Sequence, residues 1–286
     1  MAEPIVVGVD GSTPSLQAAG WAGQEAEIRG APLRVVYATL RWPSYVPLVP
    51  QPASWGADVE ATARAVLDQA IAHARAGRPR LAVSAEIVDG GAEEALVAAA
   101  GGAQLLVVGS RGRGGFAELL LGSVSRHLTA RAPCPVAVVR QPGDGDRGEI
   151  AVGVTGHPDQ EPVLDFAFRE AALRHAGLRA VHAWTQPVAT APGEMQPLVY
   201  DVDGVGAEEA RLLAESIAGR RENFPDVTLT ERVVREHPAK ALIDASAETD
   251  LVVIGAHTGM SAWLGLGATA HAVLHHARAP VIVVRH

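Results

Sequence analysis

The stretch IVVGVDGS, residues 5–12, passes from a short apolar run to Asp, Gly and Ser. A continuous apolar run of this length is typical of a strand that is covered on both faces of a parallel sheet. The polar residues after it are typical of a helix start, because their side chains cap free amide groups. The stretch therefore predicts a strand that turns directly into a helix, the repeating unit of an α/β fold.

The stretch recurs as IAVGVTGH at residues 150–157. Three further pairs follow in the same order, and partners are always 145 or 146 residues apart. They are LRVVYATLRW and LRAVHAWTQP from residues 33 and 178, LLVVGS and LVVIGA from 105 and 251, and PVAVVR and PVIVVR from 135 and 280. Four ordered pairs at nearly one offset indicate an internal duplication.

The duplication defines two expected domains, residues 1–141 and 149–286, with a linker at 141–149 that contains Pro, Gly and charged residues. Each half alternates apolar runs with helical stretches, which predicts a doubly wound parallel sheet with right-handed crossovers. The first-half runs are residues 5–10, 33–38, 81–88, 105–109 and 136–140. Ligands bind at the carboxyl ends of such strands, so functional residues are expected there.

The composition restricts the class of protein. A net charge of -8 disfavours nucleic-acid binding, which needs a basic surface. No apolar stretch reaches the roughly 18 residues of a membrane-spanning helix, and the acidic start lacks the basic residues of a signal peptide. The single cysteine, Cys134, excludes an intrachain disulfide and is expected to pack. We therefore expect a cytoplasmic protein without membrane or nucleic-acid partners.

Asp10 stands at the end of the first strand, before Gly11, Ser12 and Thr13. Ser12 or Thr13 suffices to cap the next helix, which leaves Asp10 at the strand tip. Its carboxylate either belongs to the local turn, or accepts hydrogen bonds from a sugar hydroxyl or holds a metal ion beside phosphates. The local pattern does not decide between these interpretations.

The segment GSRGRGGFAELLLGSVS, residues 109–125, follows the fourth apolar run. Its glycines permit positive φ angles and a close approach of backbone amide groups to an anion. Gly122 and Ser123 begin a helix whose amino end carries free N–H groups and a positive partial charge. Three arginines against one glutamate, between residues 109 and 126, predict an anion site, although a glycine loop with solvated arginines is the alternative.

Two other phosphate motifs are not supported. The chain contains no G-x-x-x-x-G-K-[ST], so a P-loop NTPase is not predicted. Residues 112–117 fit G-x-G-x-x-A, but they follow the fourth strand rather than the first. No acidic residue ends a strand about twenty positions later, so dinucleotide binding is weakly indicated.

The segments VGVDGS, LRVVYA, VVGSRGRGGFAELLLGSVS and APCPVAVV together resemble the universal stress protein family. The two halves resemble its tandem form, and the likeness covers essentially the whole chain. ATP-binding members carry G-x2-G-x9-G-[ST], which residues 109–123 match at every defined position. The resemblance implies parallel sheets in the order 3-2-1-4-5 and an ATP-dependent switch or partner in stress adaptation rather than an efficient enzyme.

The resemblance also implies site residues. Asp10 would contact ribose or Mg²⁺ near the phosphates, and Ala38, after the second strand, would contact adenine through its backbone. Ribose and phosphates would be held by Gly109, Gly112, Gly122, Ser123 and Val124, to which the charge of the loop adds Arg111. Family members commonly pair through the last strand, which predicts a homodimer through residues 136–140 and 281–285.

The second half departs from this pattern. Thr155 stands where the first half has Asp10, and Thr258 stands where it has Gly112. No Lys, Arg, Asp or Glu occurs from residue 255 to residue 271. An anion there would lose cationic partners worth about 1.5–3 kcal/mol each. We predict that the second half binds ATP weakly or not at all.

Two other functions stay open at this point. One is a slow Mg²⁺-dependent ATPase or nucleotidyl transferase that uses Asp10, although no general base or lysine accompanies the phosphate loop. The other is a nucleotide-free interaction module. The pattern also leaves open whether Trp42, Tyr45 and Trp55, in the long connection after the second strand, cover adenine or pack onto the sheet.

Overall fold

The structure is a computed structural model of the 286-residue chain and describes residues 2–39, 54–112, 121–140, 147–185, 201–256 and 266–286. Short segments rich in Val, Ile and Leu form the strands, because these residues suit a covered sheet. The first-half strands are β1 (Ile5–Gly8), β2 (Leu33–Thr39), β3 (Val83–Asp89), β4 (Leu105–Gly109) and β5 (Val136–Val139). The second-half strands are β6 (Glu149–Val154), β7 (Gly177–Trp184), β8 (Leu229–Arg235), β9 (Leu251–Ala256) and β10 (Val281–Arg285).

Helices connect the strands and cover both faces of the sheet. They are α1 (Thr13–Ile28), α2 (Ser54–Arg75), α3 (Ala92–Ala99), α4 (Ser123–Arg131), α5 (Glu161–Arg174), α6 (Val202–Asn223), α7 (Pro238–Ala245) and α8 (Ala268–His276). One buried apolar cluster lies under α1, α2, α5 and α6, and a second lies under α3, α4, α7 and α8. Within the described ranges, no helix has the length and apolarity that a membrane crossing requires.

Parallel pairing orders the strands within each half. β1 pairs with β2 and β4, β2 pairs with β3, and β4 pairs with β5. This gives the order 3-2-1-4-5, which the second half repeats as 8-7-6-9-10. The predicted doubly wound α/β fold is therefore confirmed, and the carboxyl ends of β1 and β4 lie side by side.

The two halves join through their last strands. β10 runs antiparallel to β5, with Val281 opposite Val138 and Val283 opposite Val136. This pairing joins the two predicted five-stranded parallel sheets into one ten-stranded sheet. The expected homodimer through the last strands is corrected. Both strands already pair on each side within the chain, so their backbone groups are not open to a second copy.

Four charged side chains join α1 to α5, the helices that pack on β5 and β10. Arg29 Nε lies 2.7 Å from Oε1 of Glu25, and Arg174 Nε lies 2.8 Å from Oε1 of Glu170. Each arginine also pairs with the glutamate of the other helix. Both glutamate side chains are 1% exposed, and a carboxylate buried without a partner would be strongly destabilising. The network therefore ties the two halves together.

The aromatic rings that contact this charged network also occupy matching positions of the sequence repeat. The guanidinium carbon of Arg174 lies 5.8 Å from the ring centroid of Trp21, and that of Arg29 lies 5.7 Å from that of Phe166. Trp21 and Phe166 occupy matching positions of the repeat, as do the two arginines. The charges and rings thus repeat across an approximate two-fold relation, with a cation–π contact on each side.

We predict that Glu170 makes the protein less stable as the pH rises toward neutrality. Burial, followed by the charge of Glu25, raises the pKa of Glu170 from 4.5 to about 7. Between these values the folded state holds a proton that the unfolded state has released. This stabilisation is therefore complete below about pH 4.5 and is lost as the pH rises through about 7. Urea unfolding of Glu170→Gln across that window should show a smaller loss of stability than unfolding of the unmodified chain.

Glu60→Gln is the control for this experiment. Glu60 forms an ion pair with Arg64 on the surface of α2, where both side chains are well exposed. The control should keep the pH dependence of the unmodified chain, since exposed pairs contribute little to stability. Equal pH dependence in Glu170→Gln and the unmodified chain would contradict the assignment.

Candidate functional site

The turn between β1 and α1 fixes the first candidate residue. Gly11 has a φ of +81°, a left-handed conformation that favours glycine. Ser12 is the N-cap of α1, and its hydroxyl accepts a hydrogen bond from the backbone N–H of Ser15 at 3.3 Å. Asp10 Oδ1 accepts from the backbone N–H of Ser12 at 2.9 Å and from the Ser12 hydroxyl at 2.6 Å. These bonds hold the Asp10 carboxylate just beyond the end of β1.

Two glycines give this turn the space that it needs. A Cβ at Gly109 would lie 2.8 Å from the carbonyl carbon and oxygen of Pro14, and a Cβ at Gly112 would lie 2.5 Å from Oδ2 of Asp10. The structure therefore brings Asp10 and Gly112 together. Neither Gly109 nor Gly112 has a positive φ, so at these two positions the absence of a Cβ, rather than a left-handed conformation, is what the structure uses. The absence of a side chain leaves room for the Pro14 backbone beside Gly109 and for the Asp10 carboxylate beside Gly112.

The amino end of α4 lies next to the same turn. Its N-cap is Gly122, with φ of -75° and ψ of 157°, and no side chain caps the first amide groups. The Gly122 N–H donates to the Ser110 carbonyl oxygen at 2.8 Å, and a Cβ at Gly122 would lie 3.5 Å from Arg111 Cα. The buried Ser125 hydroxyl donates to the Gly109 carbonyl oxygen at 2.7 Å. These bonds place a helix start, which attracts anions, at the carboxyl end of β4.

Positive charge accompanies the helix start. Arg111 is exposed, and Arg140 is half-buried directly after β5. Val139, which precedes Arg140, pairs with Gly109, and its carbonyl oxygen accepts from the Ser110 N–H at 2.9 Å, so Arg140 follows β5 beside the start of the loop. Burial, followed by the charge of Arg111, lowers the pKa of Arg140. The sequence analysis did not select Arg140. Its position at the end of the repeated PVAVVR segment, on the strand beside β4, is the pattern that points to it.

The other predicted residues take different positions. Ala38 lies within β2 rather than after it, because the strand continues to Thr39, and it pairs with Val88 of β3. Ser123 is exposed and Val124 is half-buried in the first turn of α4. Several predicted positions lie outside the described residues: Arg113, Gly114, Gly115, Trp42 and Tyr45, together with the side chain of Trp55.

The candidate site residues suit a metal ion that is already bound to a ligand such as a polyphosphate. In the described part of the chain, no group of three His, Cys, Asp or Glu side chains could hold a metal ion. Asp10 is a single carboxylate beside the Ser12 hydroxyl. Mg²⁺ commonly takes one or two carboxylates and completes its coordination with water and phosphate oxygens. The arrangement therefore suits a magnesium ion carried by a polyphosphate and does not suit a resident metal.

The sequence model of the universal stress protein family matches the chain twice, over residues 1–140 and 147–285. The chain belongs to the universal stress protein family. The universal stress protein Rv2005c of Mycobacterium tuberculosis is 39% identical over 291 residues, which cover 98% of this chain and 96% of the relative. The universal stress protein Rv2623 of the same organism is 36% identical over 297 residues, with the same coverage.

A solved structure supports the same architecture. The crystal structure of a universal stress protein from Archaeoglobus fulgidus superimposes with a TM-score of 0.69, covering 100% of this chain and 99% of that chain. Its sequence is 15% identical, so the likeness concerns the fold alone. The α/β arrangement of two universal stress protein domains in one chain is thus found in an experimental structure.

The second universal stress protein domain changes the side chains of the strand-end turn. Thr155 takes the position of Asp10. Gln160 Oε1 accepts from the Thr155 N–H at 2.7 Å and from the Thr155 hydroxyl at 3.0 Å, while Gln160 Nε2 donates to the Gly153 carbonyl oxygen at 2.5 Å. In this turn the neutral amide of Gln160 accepts hydrogen bonds, whereas in the first domain the Asp10 carboxylate accepts them. Thr258 lies outside the described residues.

The single cysteine has a packing environment. Cys134 is half-buried and packs against the apolar cluster under α4. Burial raises the pKa of its thiol to about 11. Because the thiolate is the reactive form, the side chain is inert near neutral pH, in agreement with the expected packing role.

We predict that Gly109→Ala destabilises the protein more than Gly122→Ala. The Cβ at position 109 would meet the backbone of Pro14, which cannot move without shifting the start of α1. Overpacking of this kind costs about 1–3 kcal/mol. A Cβ at position 122 would lie 3.5 Å from its nearest neighbour, so that exchange should cost less than about 1 kcal/mol. Urea unfolding of both variants measures the difference, and equal losses would contradict the packing described here.

Proposed function

We propose that this universal stress protein is an ATP-binding regulator with one nucleotide site, at the carboxyl ends of β1 and β4. The observation that carries the proposal is the contact of Gly112 with the Asp10 carboxylate. It unites the glycine signature with the carboxylate at a strand-end position, where parallel sheets bind ligands. With domain bounds of 1–141 and 149–286, the site belongs to the first domain.

The phosphates bind at the amino end of α4 in this proposal. Ser123 and Val124 contribute the first amide groups of the helix, and Gly122 leaves them without a side-chain cap. Arg111 and Arg140 supply positive charge beside them. An anion needs such a local field in a protein whose net charge is -8.

The sugar and base lie toward β1 and β2. Asp10 accepts hydrogen bonds from ribose hydroxyl groups or helps to hold Mg²⁺, which neutralises phosphate charge when bound. Gly109 and Gly112 keep side chains away from this region. The family resemblance adds the backbone of Ala38 as the contact to adenine.

ATP acts as a regulatory ligand rather than as a substrate. It contacts the β1–α1 turn and the start of α4 together, so it favours conformations in which these segments are close. That shift in population changes the surface presented to a protein partner or to a second copy of the chain. A second copy would use a surface other than the last strands, because these pair within the chain.

Replacement of Asp10 by asparagine should weaken ATP binding without unfolding the protein. The amide oxygen still accepts from Ser12, but the negative charge that favours ribose hydroxyls and Mg²⁺ is lost. A hydrogen bond to a charged group contributes about 1.5–3 kcal/mol. The Kd for MgATP should therefore rise about 10- to 150-fold, as measured by isothermal titration calorimetry.

Asp226→Asn is the matched control. Asp226 is exposed in the turn before β8, in the other half of the chain, and the exchange removes the same charge. Its MgATP affinity should equal that of the unmodified chain. An Asp10→Asn variant with unchanged affinity would refute the assignment. Hydrolysis well above background that Asp10→Asn abolishes while ATP still binds would favour an enzyme.

A further inference from the structure

The second half contains a cavity of about 500 Å³ at the carboxyl ends of β6, β7 and β9. Thr155 and Gly255, the counterparts of Asp10 and Gly109, both line it. The cavity therefore occupies the position that the proposed ATP site takes in the first half. Its volume lies within the roughly 300–1,000 Å³ of small-molecule sites. Divergence from the nucleotide signature has not closed this cleft.

The cavity differs from the first cleft in charge. Among the described residues that line it, none is Lys, Arg, Asp or Glu. Residues 180–210 and 241–277 contain neither Lys nor Arg. The first-half stretch that matches the second of these ranges, residues 96–132, contains four arginines. The loss of positive charge thus extends well beyond the cavity wall. The two arginines at the neighbouring strand ends are engaged with other groups: Arg285 donates to the Ala132 carbonyl oxygen at 3.0 Å, and Arg235 lies over the Trp184 ring.

Two buried polar side chains of the wall are engaged with the protein itself. Gln160 uses its amide group on the turn between β6 and α5. His182 Nδ1 lies 2.8 Å from the Val154 carbonyl oxygen, and its Nε2 lies 2.7 Å from Oε2 of Glu209. Both ring nitrogens of His182 are thus occupied by groups of the protein. Neither side chain offers a cationic contact to an anion.

The rest of the wall combines apolar surface with a few polar groups. Val181, Leu242 and Ile254 are buried and belong to the apolar cluster under α7 and α8. His157 and Thr269 add an imidazole and a hydroxyl, both of which donate and accept hydrogen bonds. Apolar walls with a few convergent polar groups are typical of sites for small organic molecules.

We propose that this cavity is a second ligand site, which binds an uncharged molecule of nucleoside size. The cleft is built on the same duplicated backbone as the first site, so it has room for a base and a sugar. Among the described wall residues, a phosphate group would find no Lys or Arg to compensate for its lost water shell, which makes nucleotides poor ligands. The nucleoside class rests on the proposed function of the first half, whereas the preference for an uncharged ligand rests on the cavity alone.

The strand directions allow both sites to be filled at once. β5 and β10 run antiparallel, while the strands within each half are parallel. Along the strand direction, the carboxyl ends of the first-half strands therefore lie on one side of the sheet and those of the second-half strands lie on the other side. A ligand in the second cleft does not compete with ATP in the first.

The test is a calorimetric titration of the full chain with adenosine in the presence of saturating MgATP. MgATP occupies the first site, so adenosine reports on the second. We expect one adenosine per chain under these conditions. AMP has the same base and sugar with a charged phosphate, and it should bind at least tenfold more weakly in the same titration.

Two substitutions locate the adenosine. Ala183→Phe adds a ring to the cavity wall on β7, where Ala183 is half-buried. Ala268→Trp adds a ring at the exposed first residue of α8, which also lines the cavity and tolerates a large side chain without repacking. Each should weaken adenosine binding at least tenfold and leave MgATP binding unchanged. Ala98→Trp, the same exchange at an exposed position of α3, is the control and should change neither.

The outcomes separate this proposal from the function proposed for the first half. No adenosine binding in the presence of MgATP would overturn it, as would AMP binding as tight as that of adenosine. Adenosine binding that Ala268→Trp leaves unchanged would also overturn it. A chain that fails to bind ATP, but binds one adenosine that both cavity variants remove, would support the second site and contradict the proposed ATP site alone.

Discussion

The antiparallel pairing of β5 with β10 is the constraint on which the rest of the structure depends. Each half alone would end in an unpaired edge strand, which invites association with other chains. Because β5 and β10 pair inside one chain, neither remains an edge strand. The same pairing aligns α1 with α5, so that the ion pairs among Glu25, Arg29, Glu170 and Arg174 form between the halves. A contact that the family resemblance assigns to two copies is thus made by two halves of one chain.

The same junction separates two clefts that share a backbone. Because the strands of the two halves run in opposite directions, the carboxyl ends of the first-half strands and those of the second-half strands lie on opposite sides of the sheet. In the first cleft, Asp10 meets Gly112 beside two arginines. In the second, Thr155 and Gln160 form a neutral turn, and the described wall residues include no Lys, Arg, Asp or Glu. The two halves thus share one scaffold and differ in the side chains at these strand ends.

Much of the fold could be predicted because it is encoded locally. The repeated apolar runs and turns predict the strands and the doubly wound parallel arrangement, and the family resemblance implies the strand order within each half. The joined sheet could not be predicted, since β5 and β10 have the same pattern whether their partner is internal or a second copy. The edge strand β3 is largely exposed, although the run at residues 81–88 suggested a covered strand, because it has a neighbouring strand on one side only. At the candidate site, the family resemblance points to Asp10 and Gly112, which the structure brings close together. The steric role of Gly112 and the proximity of Arg140 depend on packing between distant segments, which no local pattern records.

The most direct measurement is the number of ATP molecules bound per full chain, obtained by equilibrium dialysis with MgATP at concentrations well above the Kd. The predicted result is one, because only the first half brings a carboxylate, the glycine signature and neighbouring arginines to the same strand ends. Two equally tight sites per chain would contradict the functional difference between the halves, and no bound ATP would contradict the assignment of the first cleft.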